Sequence, residues 1–187
     1  GELYTIAELD GEIRLCVLDA ANGSLKWQQQ LAHVDSRVIA LDKSRRLAGA
    51  TPSFADGVLI CPTSAGAIVA VDISARTLLW GYTYENKQMV RGYPFSRTIS
   101  GNVKPREQQW IDATLTIADG SVIATPVEND KLICLDLLTG KPQWKPLTRT
   151  KDLYIACIKQ GTIVIVGEQK ISAINMATGE DAWEKAV

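Results

Sequence analysis

Short apolar runs recur along the chain, each closed by an acidic or amide residue: residues 13–18 before Asp19, 67–71 before Asp72, 131–135 before Asp136 and 171–174 before Asn175. Runs of this length and composition, bounded by turn formers, predict strands. The closing Asp or Asn can accept backbone N–H groups two residues on and so start a turn. Four positions later Gly23, Gly140 and Gly179 supply a positive φ, which a residue with a Cβ adopts only at a cost of about 1 kcal/mol or more. Four positions further the chain, now returning, carries Trp27, Trp80, Trp144 and Trp183. Four of the five tryptophans thus have Asp or Asn eight residues upstream, which makes the pattern a repeat. In the second copy Arg76 holds the glycine slot, and a different turn type is expected there. The large indole suits a seam between sheets better than a solvent face.

Another strand precedes this set in the later copies, at residues 51–55, 113–118 and 153–159, ahead of Asp56-Gly57, Asp119-Gly120 and Gln160-Gly161. Asp-Gly between apolar runs is a strong hairpin signal. The unit is therefore four antiparallel strands, and the first copy, opening at residues 3–7 and turning at Asp10-Gly11, lacks its leading strand. Trp144 and Trp183 stand 39 residues apart, close to the period of a four-stranded propeller blade. The reading is an all-β chain: a single propeller segment over 1–187 with repeats at approximately 1–31, 50–84, 111–147 and 152–187. Insertions fall at 32–49 and 81–110.

The first insertion mixes charged residues with Val38, Ile39 and Leu41 and partly matches a short helix. The second alternates aromatic and basic side chains among Gly92, Pro94, Gly101 and Pro105, which argues for a loop. Tyr82, Tyr84, Arg91, Tyr93, Phe95 and Arg97 form the candidate partner-binding loop, because interfaces favour Tyr, Trp and Arg. The competing reading has these aromatics fold over the propeller itself.

Composition excludes more than it assigns. With 46% hydrophobic and 22% charged residues and a net charge of −1, nothing recruits nucleic acid, and no apolar run approaches the roughly 20 residues that span a bilayer. The absence of an initiator Met at Gly1 suggests an excised piece or a processed chain. Cys16, Cys61, Cys134 and Cys157 are widely spaced in apolar strand patterns, which points to small core hydrophobes and to neither zinc nor disulfides. Glu128-Asn129-Asp130 could be offered to calcium, but it lies between two strands of one blade, where Asn-Asp makes a hairpin turn. His33, the only histidine, is expected on a surface loop and has no triad partners. No catalytic, cofactor or metal residue is assigned. Asp19, Asp72, Asp136 and Asn175, with their glycines and tryptophans, read as structural repeat positions.

Ala-Val-Asp at 70–72 and Cys-Leu-Asp at 134–136, Thr-Gly-Lys at 139–141 and Thr-Gly-Glu at 178–180, each leading to Trp, resemble the tryptophan-docking repeat of the pyrroloquinoline-quinone-like propellers. Ala-Asp-Gly-Val-Leu-Ile at 55–60 and Ala-Asp-Gly-Ser-Val-Ile at 118–123 match as well. That superfamily includes quinoprotein alcohol dehydrogenases and the propeller lipoprotein of the outer-membrane barrel-assembly machinery. The resemblance implies rings of seven or eight blades, so about four repeats amount to part of a larger ring. Its expected companions are the remaining blades of a parent chain, another protein partner, or an edge-paired homodimer. It also implies an extracytoplasmic, periplasmic location. The leading functional reading is a non-catalytic interaction or ligand-presenting scaffold. The alternative is part of a quinone-dependent dehydrogenase, for which the resemblance implies pyrroloquinoline quinone, adjacent cysteines stacked on it, calcium ligands and a catalytic aspartate. A propeller coupled to a kinase or a membrane-anchored sensor is a third reading, on family analogy alone.

Overall fold

Alternate residues of the middle strands face opposite ways, and here both faces are buried, so these strands read as unbroken apolar runs. In the computed structural model, which describes residues 1–34, 51–85, 110–149 and 151–187, fifteen strands form four antiparallel sheets. Blade I holds β1 (Glu2–Leu9), β2 (Glu12–Asp19) and β3 (Leu25–His33), without a leading strand. Blade II holds β4 (Ser53–Ala55), β5 (Val58–Pro62), β6 (Ala67–Asp72) and β7 (Thr77–Thr83). Blade III holds β8 (Thr116–Ala118), β9 (Ser121–Ala124), β10 (Lys131–Asp136) and β11 (Leu147–Thr148). Blade IV holds β12 (Asp152–Lys159), β13 (Thr162–Gly167), β14 (Lys170–Asn175) and β15 (Asp181–Ala186). Each sheet keeps sequence order, the meander of a propeller blade.

The core lies between blades. Leu15 and Val17 meet Leu59, Cys61 and Val71 at the seam of blades I and II. Val58, Ile60, Ile68 and Ala70 meet Val122, Ala124, Ile133 and Leu135 at the next. Ile123, Leu132 and Cys134 meet Ile163, Ile165 and Ile174 at the third. Leu132 and Cys134 thus serve one seam while Ile133 and Leu135 serve another, and each such Ile or Leu contributes about 1.5–3 kcal/mol through burial.

The turns from first to second strand place consecutive residues at positive φ: Asp56 at 49° and Gly57 at 80°, Asp119 at 46° and Gly120 at 72°, Gln160 at 50° and Gly161 at 69°. This matches the twist of the paired strands. Ile73, Leu137 and Met176 donate their backbone N–H to the carbonyls of Gly57, Gly120 and Gly161. The two outer turns of a blade therefore share one end, and the connections between second and third strands lie at the other.

Blade III departs from the expected pattern. Trp144 precedes β11 instead of lying on the returning strand, because Pro142 and Pro146 lack the N–H a ladder needs and reduce the pairing to an isolated Leu135–Pro142 bridge before Leu147. His33 closes β3 instead of lying in the insertion, though it is exposed. The helix considered in the first insertion falls on residues 35–50, outside the described residues.

Candidate functional site

At the turn end the repeat residues form one device. Oδ1 of Asp19 accepts the N–H of Ala21 at 2.8 Å, and Oδ1 of Asp136 accepts Thr139 through both N–H (2.8 Å) and hydroxyl (2.7 Å). Oδ1 of Asn175 accepts the N–H of Ala177 at 2.9 Å. At Asp72 the N–H of Ala75 and then the Ser74 hydroxyl hold the carboxyl below its usual range, and at Asp136 the Thr139 hydroxyl is the chief cause of the same shift. Gly23, Gly140 and Gly179 turn at φ of 74°, 67° and 74°.

Each interior Trp then reaches into the next blade. Trp80 Nε1 donates to the carbonyl of Leu137 at 2.9 Å, and Trp144 Nε1 to that of Met176 at 2.9 Å. The rings lie against the turn glycines: a Cβ on Gly140 would stand 2.6 Å from Trp80 Cε3, and one on Gly179 would stand 2.8 Å from Trp144 Cδ2. Glycine is required twice over here, for φ and for space.

Arg76 corrects the expectation of a different turn. It keeps the left-handed backbone, at φ 55°, where its Cβ costs about 1 kcal/mol or more. Its guanidinium lies 5.7 Å from the Trp27 ring centroid, within the range in which a cation is attracted to an aromatic face. Trp27 belongs to blade I, so the contact occupies the place where glycine meets tryptophan at the later seams.

The opposite end gathers buried polar groups. Glu128, 1% exposed, accepts the Tyr84 hydroxyl at 2.5 Å and the N–H of Gly66 at 3.4 Å on the same Oε1. Both donors belong to blade II, so the carboxylate ties blade III to it. Asn129 donates Nδ2 to the Glu85 carbonyl at 2.7 Å, while its N–H bonds the Pro126 carbonyl as a turn. Glu128-Asn129-Asp130 therefore lies in the β9–β10 connection; the charge pattern alone carried no sign that Glu128 is buried, because its partners lie 44 and 62 residues away.

Two members of the candidate loop fall among the described residues. Tyr82 and Tyr84 are half-buried and pack on the blade II–III core, and burial raises the Tyr82 hydroxyl above its usual range. Arg91, Tyr93, Phe95 and Arg97 lie outside the described residues. Trp110 is 3% exposed, packs in the third seam and donates Nε1 to the Lys131 carbonyl at 3.0 Å. The described residues on either side of positions 86–109, Tyr84 and Trp110, thus both bond to blade III. Asp152, the other buried carboxylate, accepts Arg149 Nε at 2.5 Å, and the same guanidinium holds Ser172 Oγ at 2.8 Å.

The model of the family described as outer membrane protein assembly factor BamB matches residues 2–104 and 102–187. The chain belongs to this BamB family. Among solved structures, BamB from Moraxella catarrhalis is similar at a TM-score of 0.60 and 13% identity over 98% of this chain and 50% of its own. A europium-containing methanol dehydrogenase is similar at 0.58 and 14% identity, over 99% of this chain and 40% of that one. A computationally designed protein, Ika8, gives 0.56 and 13%, over 97% and 48%. These likenesses show the propeller fold, and the chain spans half or less of each of the three. No curated protein matches the sequence.

The family's BamB and dehydrogenase likenesses raise the question of a quinone. Among the described residues no two cysteines are adjacent: Cys16, Cys61 and Cys134 are buried on separate strands and Cys157 is alone on β12. Glu128 Oε1 is engaged by Tyr84 and Gly66 and Asn129 Nδ2 by the Glu85 carbonyl, while Asn129 Oδ1 is buried without a hydrogen-bond partner. Contrary to the reading of every cysteine as a core residue, Cys157 is exposed; it follows an irregularity in the β12–β13 register between Ile155 and Cys157. No helix among the described residues is long and apolar enough to cross a membrane.

Proposed function

We propose that this chain is a non-catalytic segment of a larger propeller, a scaffold that presents its second insertion to a protein partner. The observation that carries the reading is the anchoring of that insertion. Tyr84 on one side and Trp110 on the other are pinned to blade III, through Glu128 and the Lys131 carbonyl. A loop held at both roots on a rigid sheet stack presents its side chains at lower entropic cost than a free one. The buried carboxylates, Glu128 and Asp152, serve as ties between structural elements, which agrees with a scaffold. Arg91, Tyr93, Phe95 and Arg97 are the proposed contact residues, together with Tyr82 and Tyr84. The family's description as an assembly factor is in keeping with a protein partner.

The test is affinity capture and titration of the isolated partner with the parent protein and with a triple variant, Tyr93→Ala, Phe95→Ala and Arg97→Ala. Side chains of these types carry 2 kcal/mol or more at interface centres, so the triple variant is expected to weaken binding by about 30-fold or more while leaving the unfolding midpoint unchanged. Unchanged binding to every partner overturns the role of the loop. Alcohol-dependent dye reduction by the parent protein supplied with pyrroloquinoline quinone and calcium overturns the scaffold reading.

A further inference from the structure

The last strand of each blade is a margin, and a margin with outward N–H and C=O groups invites another chain to pair with it. Three of these outer strands are guarded. β3 carries Lys26, β15 carries Asp181, Glu184 and Lys185, and β11 is cut to two residues behind Pro142 and Pro146. β7 has none of these protections. It runs seven residues from Thr77 to Thr83, holds neither a charge nor a proline, and leaves Leu78 and Leu79 48% and 42% exposed. Among the described residues it closes its sheet, with β6 on one side only.

The ladder fixes which backbone groups face out. Tyr84 donates its N–H to the Gly66 carbonyl at 2.9 Å, and the register continues through Tyr82 opposite Ile68 and Trp80 opposite Ala70. Hydrogen-bonded pairs alternate along an antiparallel ladder, so Tyr82 and Trp80 also bond inward, while Gly81 and Thr83 turn N–H and C=O away from β6. Trp80, Tyr82 and Tyr84 pack on the blade II–III core, which leaves Gly81 and Thr83 on the exposed face. Gly81 has neither ordinary reason to be glycine: its φ lies outside the left-handed region, and a Cβ there would meet nothing within 4 Å. Gln28, Lys145 and Glu184 follow the tryptophan in the other blades. A glycine inside a strand that neither conformation nor crowding requires marks a place where another backbone comes close.

We propose that the β7 edge receives an extended strand of the protein partner, paired through the outward N–H and C=O groups of Gly81 and Thr83. The proposal rests on the reading of the chain as a partner-binding scaffold and gives that partner a second contact. Position and charge argue for this occupant. β7 leads into Tyr84 and Glu85, the last described residues before the insertion, so the edge is continuous in sequence with the proposed contact residues. The strand that fits is uncharged opposite Thr77–Thr83 and sets an aromatic or β-branched side chain beside Gly81, the pairing that stabilises an edge glycine.

The test uses a phage-displayed library of short random peptides, panned on the 187-residue chain. Enriched peptides are expected to be uncharged and rich in aromatic and β-branched residues. One of them, made synthetically, should slow hydrogen exchange of the Gly81 and Thr83 amides about tenfold or more, as read by NMR, and leave those of Trp80 and Tyr82 unchanged. Gly81→Lys puts a charge on the edge where a side chain has room, and Thr83→Pro removes a donor that the β6 ladder does not use. Circular dichroism checks that both variants stay folded. Each is expected to weaken peptide binding about tenfold or more, whereas Thr83→Val, which keeps the N–H, leaves it unchanged. Enrichment of no peptide, or of peptides that bind the Lys and Pro variants as tightly as the parent, overturns the proposal. So does a dimer in which the Gly81 and Thr83 amides are protected without peptide, since the edge then belongs to a second copy. The triple variant in the insertion leaves β7 intact, so partner titration with it tests the scaffold reading separately from the edge.

Discussion

The Trp144 indole joins blade III to blade IV in two ways at once: its Nε1 donates to Met176 and its ring occupies the space a side chain on Gly179 would need. Gly179→Ala should therefore cost about 1 kcal/mol for the backbone and about 1–3 kcal/mol more for the displaced ring. Gly23→Ala, at the same φ but facing open space, should cost only the backbone part. Urea unfolding at low protein concentration measures both, and equal losses would show that the ring contact contributes nothing.

Arg76 sets a penalty against a gain. Its left-handed backbone costs about 1 kcal/mol, and its guanidinium over Trp27 returns about 0.5–1 kcal/mol. Arg76→Gly relieves the first and loses the second, so the unfolding free energy should move by less than about 0.5 kcal/mol. Arg76→Ala keeps the strain and loses the contact, and should be destabilised by about 0.5–1 kcal/mol. The order of the two variants is the decisive readout.

The cysteines predict an alkaline response. Burial pushes the thiols up from their usual value near 9, Cys61 to about 12 and Cys134 to about 11. A raised folded pKa gives stability that is whole below the unfolded value and is lost as pH climbs through the folded one. On account of these thiols the urea midpoint should hold steady below pH 9 and fall between about 9 and 12. At pH 8 in the native protein, iodoacetamide should modify Cys157 rapidly and Cys61 and Cys134 only on unfolding, as followed by mass spectrometry.

The blades were legible because their signals are local. Asp136, Gly140 and Trp144 carry turn chemistry, φ and seam within nine residues. What was not legible depends on distance or on one missing atom. Arg76 hid the constancy of its turn, since an arginine gives no sign of accepting a positive φ until Trp27 is seen beside it. Pro142 and Pro146 moved Trp144 off its strand without disturbing its spacing from Asp136. Glu128 reads as a surface charge until Gly66 and Tyr84 are brought to it from another blade. Trp183 has the same local motif as Trp144, and only its setting in space separates a covered ring from a bare one.

Because Leu132 and Cys134 face one neighbour while Ile133 and Leu135 face the other, no blade owns a core. Stability is then a nearest-neighbour quantity, as in a stack of coins, and a blade in the middle is held from two sides while one at the margin is held from one. In this 187-residue segment taken by itself, opening should begin at blades I and IV and work inward, so amides of β5, β6, β9 and β10 should be the last to exchange with solvent. The same arrangement makes the blade a unit of evolutionary growth: a duplicated copy brings half of each of two seams, and its neighbours already hold the other halves.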